Sequence, residues 1–409
     1  MNNDTAGASR PVNWKRNLYI IWLGQILALC GNSFALPFIP LYIRDHFGLI
    51  DEAQRGSVVA MYQFFGTMTF CLSNPLWGMF ADRGGRKLML LRAYFLNAIT
   101  IPLLMVAPSI TWLIVIRAMA AMFSGTVSAS QALIVSNTPE EHHGFALGFL
   151  STALWSGTVL GFLGGGMIVH FFSYRAAFLC CGAMFFLSGL LMLFFVRENF
   201  VPPDRSKRDA PKVSGKTLSV QLLMLLAFIG SVAMSRRIDI PFLPMLVEVV
   251  GGADKAALHT SFISALAAAG GVCSGILFGA LSDRFPAWKL ALPTLLVAGA
   301  ATLFQSRTGS LWSLGFWRFV CYFAAGGLEP IIIAVIARTV APERRSTALG
   351  WSASVRVAGG VAGAALSGAV VAHFQTRGVF GAAGILMLAL VPLSFLILRK
   401  APATAPKPR

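Results

Sequence analysis

Uninterrupted apolar stretches about twenty residues long alternate with short polar breaks along almost the whole chain. The clearest are 20–40, 64–80, 88–107, 178–196 and 379–398, with a further one starting near residue 222. Runs beyond roughly 18 residues exceed an ordinary core helix and match the thickness of a bilayer's hydrocarbon layer. Reading between the polar breaks predicts twelve membrane-spanning helices, numbered span 1 to span 12. They cover roughly 17–43, 54–80, 88–107, 110–136, 144–170, 175–196, 218–246, 257–282, 287–306, 310–338, 346–372 and 378–398. Between spans 6 and 7 lies the one charged, Pro-bearing stretch long enough to be a linker, ENFVPPDRSKRDAPKVSG. The division is then a six-helix bundle over 1–196, a cytoplasmic linker over 197–217, and a second six-helix bundle over 218–409 ending in a short cytoplasmic tail.

The two bundles repeat one another at an offset of about 201–204 residues. Pro37-Phe-Ile-Pro40 answers Pro241-Phe-Leu-Pro244, and Gly78 through Arg83 answers Gly279 through Arg284. Arg117 and Gly125 recur with equal spacing as Arg318 and Gly326, and Pro139-Glu140 recurs as Pro342-Glu343. Six spans per half give both halves the same orientation, so the repeats are parallel and related by an axis along the membrane normal. Such an arrangement encloses a midplane cavity and suits alternating access by rocking. The expected fold is therefore all-α, two pseudo-symmetric six-helix bundles.

Composition agrees with this pattern. The chain is 56% hydrophobic and 12% charged, against about 25% charged in soluble domains. Its 40 glycines suit close helix packing in lipid. A net charge of +17 raises the question of nucleic acid, but the charges are sorted by loop. Most of the 33 Lys and Arg lie on the side of the N-terminus, among them Lys15, Arg16, Arg83, Arg86, Lys87, Arg344, Arg345 and Arg399. That asymmetry places both termini in the cytoplasm and makes basicity a topology signal, with no nucleic-acid partner expected. The six cysteines sit in apolar helices without metal or disulfide spacing. No histidine pair has ligand spacing on one span, so neither metal nor cofactor is expected.

The most specific motif follows span 2: Gly78-Met-Phe-Ala-Asp82-Arg83-Gly84-Gly85-Arg86-Lys87. It resembles, at every defining position, the G-x-x-x-D-R-x-G-R-K/R loop of the major facilitator superfamily. The glycines allow a tight turn, and Gly78 allows close approach of a neighbouring helix. The resemblance implies a conformational latch of Gly78, Asp82, Arg83, Gly85, Arg86 and Lys87, with Asp283 and Arg284 as its partial second copy. Asn13-Trp14-Lys15-Arg16 and the run from Gly85 to Arg92 resemble the drug:proton antiporter-1 family, multidrug resistance protein G type. Arg117 resembles that family's buried arginine, which implies a part in proton coupling. The glycines of span 5 (Gly148, Gly157, Gly161, Gly164, Gly165, Gly166) resemble its G-x-x-x-G-P-x-x-G-G motif, except that Phe162 replaces the proline.

Charges inside a membrane are costly and mark function by default. Asp239 and Glu329 are the candidate proton carriers beside Arg117. Asp239 is placed to pair with Arg236 three residues before it, or Arg237 to pair across the cavity, and Glu329 to pair with Arg318 or Arg356. The candidate substrate cavity comprises Asn32, Phe34, Gln63, Gln131, Arg236, Arg237, Arg318 and Arg356. No Walker A sequence is present, which excludes ATP-driven transport by this chain alone and leaves an ion or solute gradient. The expected function is a secondary transporter, a monomer in the bacterial cytoplasmic membrane, exporting drug-like or amphipathic small molecules against protons. The alternative is a specific carrier of an anionic metabolite such as a siderophore, organic acid or sugar phosphate, because five arginines inside the spans outnumber two carboxylates.

Overall fold

The computed structural model describes residues 13–198, 219–282, 284–341 and 344–399, and among them every regular element is helical. Nine stretches within these are long and apolar enough to cross a membrane. The last of them, Thr347–Leu398, is spans 11 and 12 run together at a kink, and span 2 (Glu52–Gly84) and span 7 (220–251) complete the expected twelve. Six helix starts are capped as elementary chemistry requires. Asn13, Asp51, Ser109, Ser173, Ser219 and Ser310 each accept a backbone N–H from the first turn. Most of the predicted linker, 199–217, and Pro342-Glu343 lie outside the described residues.

The repeated Pro-Phe-x-Pro is a helix break in both halves. Span 1 runs Trp14–Ala35, tightens into a 3-10 turn at Leu36–Phe38 and resumes over Ile39–Phe47. Span 7 does the same over Val220–Arg237, Ile240–Phe242 and Leu243–Gly251. Proline lacks the N–H that would continue the ladder, so each break leaves freed backbone facing the interior. Spans 4 and 10 depart from the single helices expected of them. Each is two helices, Ile110–Met122 with Thr126–Asn137 and Leu311–Ala325 with Leu328–Thr339. Gly125 sits at φ 111°, where only glycine is unstrained, and Gly326-Gly327 occupies the equivalent joint.

Span 5 is one continuous helix, His143–Phe171, since Phe162 supplies no kink. Its glycines form a face that lets span 1 approach to backbone contact. A Cβ at Gly157 would stand 2.8 Å from the carbonyl oxygen of Ile26, at Gly161 2.5 Å from that of Cys30, and at Gly165 2.7 Å from Cα of Phe34. The two halves meet through span 2 against span 11 and span 5 against span 8.

That meeting is one-sided. Away from the basic loops Val371 fills the space beside Gly56, and a Cβ on Gly166 would collide with Ser261. At the basic end the corresponding glycines face open space: among the described residues nothing lies within 4 Å of a Cβ at Gly78, Gly144, Gly148, Gly275 or Gly350. The expectation that Gly78 admits a neighbouring helix is thus not met in this conformation, because the halves are splayed apart there. Gly161→Leu is expected to cost at least about 1–3 kcal/mol by overpacking the span 1 contact. Gly148→Leu should leave stability unchanged, and thermal unfolding of the two variants in detergent makes the comparison.

Candidate substrate cavity

Two connected chambers lie between the halves. The inner one, about 380 Å³, is lined by the Pro37 and Pro241 breaks together with Tyr62, Gln63, Trp155, Phe162 and Tyr322. The wider one, about 1000 Å³, extends toward the basic end past Asn74, Gln131, Arg237, Ser354 and Arg356. Asn32 and Arg117 line both and mark where they join. The smaller chamber is mostly apolar, with Trp155 and Phe162 beside Arg117 and Arg318, while Arg117, Arg237 and Arg356 line the larger.

Asp239 accepts a charge-assisted hydrogen bond from Nη1 of Arg318, in span 10, not from Arg236. The i, i+3 spacing fails because the helix ends at Arg237, so Asp239 stands on the break and not one turn above Arg236. Arg318 is fully buried and also donates to Oε1 of Gln305 at 3.2 Å and to the Tyr322 hydroxyl at 3.5 Å. Burial at this depth is tolerable only for a charge so surrounded. Glu329 takes both of its contacts from arginines, Arg236 at 3.3 Å and Arg356 at 2.9 Å, and none from Arg318. One carboxylate thus ties span 10 to spans 7 and 11.

Arg117 is the pseudo-symmetric counterpart of Arg318, yet its environment differs. The position answering Asp239 is Ala35, so no carboxylate is at hand. Arg117 lies against Gly66 and over the Tyr62 ring at 5.3 Å, and its Nε is buried without a hydrogen-bond partner among the described residues. The Tyr62 hydroxyl is likewise buried and unpaired there. Arg237 lines the wide chamber and, among the described residues, has no ion-pair partner either. Among the described residues Arg117, Arg236, Arg237, Arg318 and Arg356 stand around the cavity against Asp239 and Glu329, a net positive interior.

Of the expected cavity residues, Asn32, Gln63, Gln131, Arg237, Arg318 and Arg356 line the chambers, and Arg236, which lines neither, donates to Glu329. Phe34 does not line them. It is 8% exposed and packs its ring on Gly164, because the bare backbone of span 5 there leaves a slot that an aromatic ring fills.

The loop after span 2 is anchored inside its own half. Gly85 adopts φ 93°, the tight turn its sequence anticipates, and Arg83 points to solvent. Glu198, just beyond span 6, accepts the backbone N–H groups of Arg86 at 3.0 Å and Lys87 at 2.8 Å. A carboxylate there satisfies orphan donors at the start of span 3 and meets the positive end of its dipole. The Lys87 ammonium donates to the carbonyls of Leu193 and Val196, and Arg86 to that of Ala132. Asp283 and the side chain of Asp82 lie outside the described residues, and Arg284 is exposed. Sequence reading missed Glu198, Gln305 and Tyr322. Only Tyr322, one turn beyond Arg318, carried a local signal.

A cleft between two pseudo-symmetric bundles, closed at one end and charged at its middle, defines a membrane transporter that works by alternating access. The chain belongs to the Major Facilitator Superfamily, whose family model matches residues 21–305 and 294–409. It is 30% identical over 403 residues to a "Multi-drug resistance efflux pump PmrA homolog" of Lactococcus lactis subsp. lactis, an alignment covering 96% of this chain and 97% of that protein. It is 29% identical over 380 residues to "Multidrug resistance protein MdtG" of Salmonella heidelberg, covering 90% and 92% respectively. Among solved structures, a bacterial homolog of the lysosomal transporter Spinster, inward-facing and occupied, superposes with a TM-score of 0.75 at 20% identity over 96% of this chain and 98% of that one. The nucleoside transporter NupG gives 0.72 at 14% over 93% and 98%. At these identities the two structures speak for the fold.

Asp239→Asn is expected to lower stability by about 3–5 kcal/mol, since it strands Arg318 as an uncompensated buried charge. Combining it with Arg318→Met should recover most of that loss, and unfolding temperature of the purified variants is the measurement.

Proposed function

We propose that this protein is a proton-coupled exporter of drug-like or amphipathic small molecules in a bacterial cytoplasmic membrane, acting as a single chain with its basic loops and both termini inside. The observation that carries the coupling is Glu329, shared between Arg236 and Arg356, of which Arg356 lines the wide chamber. While ionised it holds spans 7, 10 and 11 together. Protonated, it releases two guanidiniums, raising the positive charge of the cavity and freeing three helices to shift. Asp239 with Arg318 makes a second carboxylate–arginine unit, and Arg117 supplies a fixed charge against which a proton or a ligand is exchanged. With the basic end cytoplasmic, the splayed conformation faces inward, ready to load from the cell. The apolar inner chamber, with Trp155 and Phe162, suits the hydrophobic body of an amphipathic cargo. The loop from Gly78 to Lys87, with Asp283 and Arg284, latches the basic ends in the opposite state, where the empty glycine surfaces come together. The names of the Lactococcus and Salmonella relatives support export of drugs.

A second reading is favoured by one observation: Arg117, over the ring of Tyr62 with its orphan hydroxyl, and Arg237, in the wide chamber, have no carboxylate partner among the described residues. These donors suit a carboxylate or phosphate, as in an anionic metabolite.

In inverted vesicles, Glu329→Gln is expected to abolish pH-gradient-driven accumulation of a transported dye while leaving its equilibrium binding within about twofold of the parent. Asp239→Asn should behave alike, scored on the folded fraction only. Undiminished transport in both variants sinks the coupling assignment. A thermal-shift screen of lipophilic cations against amphipathic and small anions separates the two cargo readings: stabilisation by cations only removes the second.

A further inference from the structure

Away from the basic loops, the closed end of the cavity is fastened by charge as well as by apolar packing. Glu248, near the end of span 7, faces two arginines of the other half. Arg44 Nη1 from span 1 lies 3.0 Å from Oε1, and Arg55 Nη2 from span 2 lies 3.0 Å from Oε2. Of these contacts only Arg55 Nη1 to Oε1, at 3.2 Å, is also aligned as a hydrogen bond. The Arg55 side chain is 2% exposed, whereas those of Glu248 and Arg44 are each 16% exposed. Solvent on that side therefore reaches the Glu248 side chain, although its Oε2 atom is buried.

The positions are not arbitrary. The 204-residue offset that aligns Pro37 with Pro241 also aligns Arg44 with Glu248. Equivalent residues close to a two-fold axis must meet when the halves close, and identical charges there would repel. This chain has placed opposite charges at one equivalent pair, so the symmetry of the repeat is broken where attraction is needed. The seal around it is apolar, with Phe38 and Leu41 packed on Ala256 and Ala257. A second polar tie crosses the halves nearby, where Oε1 of Glu52 accepts the backbone N–H of Thr376 at 2.6 Å.

We propose that Glu248 is a proton-binding site that governs the outer gate, its carboxylate clasping Arg44 and Arg55 to keep the cavity shut on the outside. A proton arriving from the outer solvent neutralises Glu248. It leaves Arg55 without a counter-ion in the closed state, while Arg44 keeps only its neighbour Asp45, whose carboxylate it contacts at 2.5 Å and which also accepts from the Tyr174 hydroxyl. The closed state thus binds fewer protons at this site than the open one, so its advantage is present at high pH and is lost as pH falls. The elements packed on the end of span 7 carry other charged groups. Lys255 and His259 stand at the start of span 8, Arg318 in span 10 is held by Asp239, and His373 and Arg377 flank the kink between spans 11 and 12. Among the described residues none of these pairs with Glu248.

The inference rests on the transporter reading and on its orientation, but the test reads gate distance and not flux, so the two fail separately. Spin labels go on Ile50→Cys, where the native side chain is 80% exposed, and Asp254→Cys, in a background with the six native cysteines replaced. Pulsed electron paramagnetic resonance of the protein in lipid nanodiscs then reports the outer opening as pH is lowered from about 8 through the ordinary carboxylate range to about 4. The parent is expected to lose its short-distance population as pH falls. Glu248→Gln should show the longer distance more than the parent and without a pH response, with the open-to-closed ratio at pH 8 raised about two- to fivefold, the scale of a partly exposed ion pair. Glu248→Asp should keep a pH response. Arg55→Met, which removes the buried cation but keeps the carboxylate, should open the gate partway and still respond to pH. A parent indifferent to pH, or a Glu248→Gln protein that retains the parent's response, overturns the proposal.

Discussion

The constraint on which the structure turns is the cost of an ionic group in a medium that cannot solvate it. A charge at the depth of Arg318 is tolerable only if a counter-charge and hydrogen-bond partners surround it or if water reaches it. The chain uses both solutions. Arg318 is walled in with Asp239, Gln305 and Tyr322, whereas Arg237 and Arg356 border the wide chamber. Each solution dictates geometry elsewhere: span 7 must break at Pro241 to present Asp239 to span 10, and span 5 must be stripped to glycine so that span 1 can sit close. Charge placement and helix packing are in this sense one problem.

The scaffold was readable because its signals are local. Apolar runs, the repeated Pro-Phe-x-Pro and the Gly85 turn each depend on residues close together in sequence, and the structure follows them. The joints in spans 4 and 10 escaped notice since a glycine inside an apolar run leaves hydropathy undisturbed. Partners escaped for another reason. Asp239 and Arg318 are 79 residues apart in sequence, and helical spacing offered Arg236 instead, a rule that holds only where the helix is unbroken. Phe34, an aromatic beside Asn32, gave no hint that it faces glycine and not the cavity. Glu198 was concealed at the start of a linker whose charges look merely basic.

Pseudo-symmetry is most informative where it lapses. Ala35 stands where Asp239 has its carboxylate, which is why Arg117 and Arg318, equal in sequence, are unequal in chemistry: Arg318 is paired with a carboxylate, and Arg117 has none among the described residues. A duplicated scaffold supplies two of everything. Function enters when one copy is altered and the other kept, since a proton or a solute needs a site at which the halves are no longer interchangeable.

The glycines at the basic end have a consequence for how this protein tolerates change. Among the described residues nothing stands against Gly78, Gly148, Gly275 and Gly350, so a larger side chain there meets none of them in the observed conformation. Alternating access requires that the same surfaces meet when the cavity faces the other way, and there every added methylene counts. Damage at these positions would be invisible to any assay of folding or yield and would register only as a cycle that stalls half-way. The residues most specific to motion are the ones that look idle when the protein is at rest.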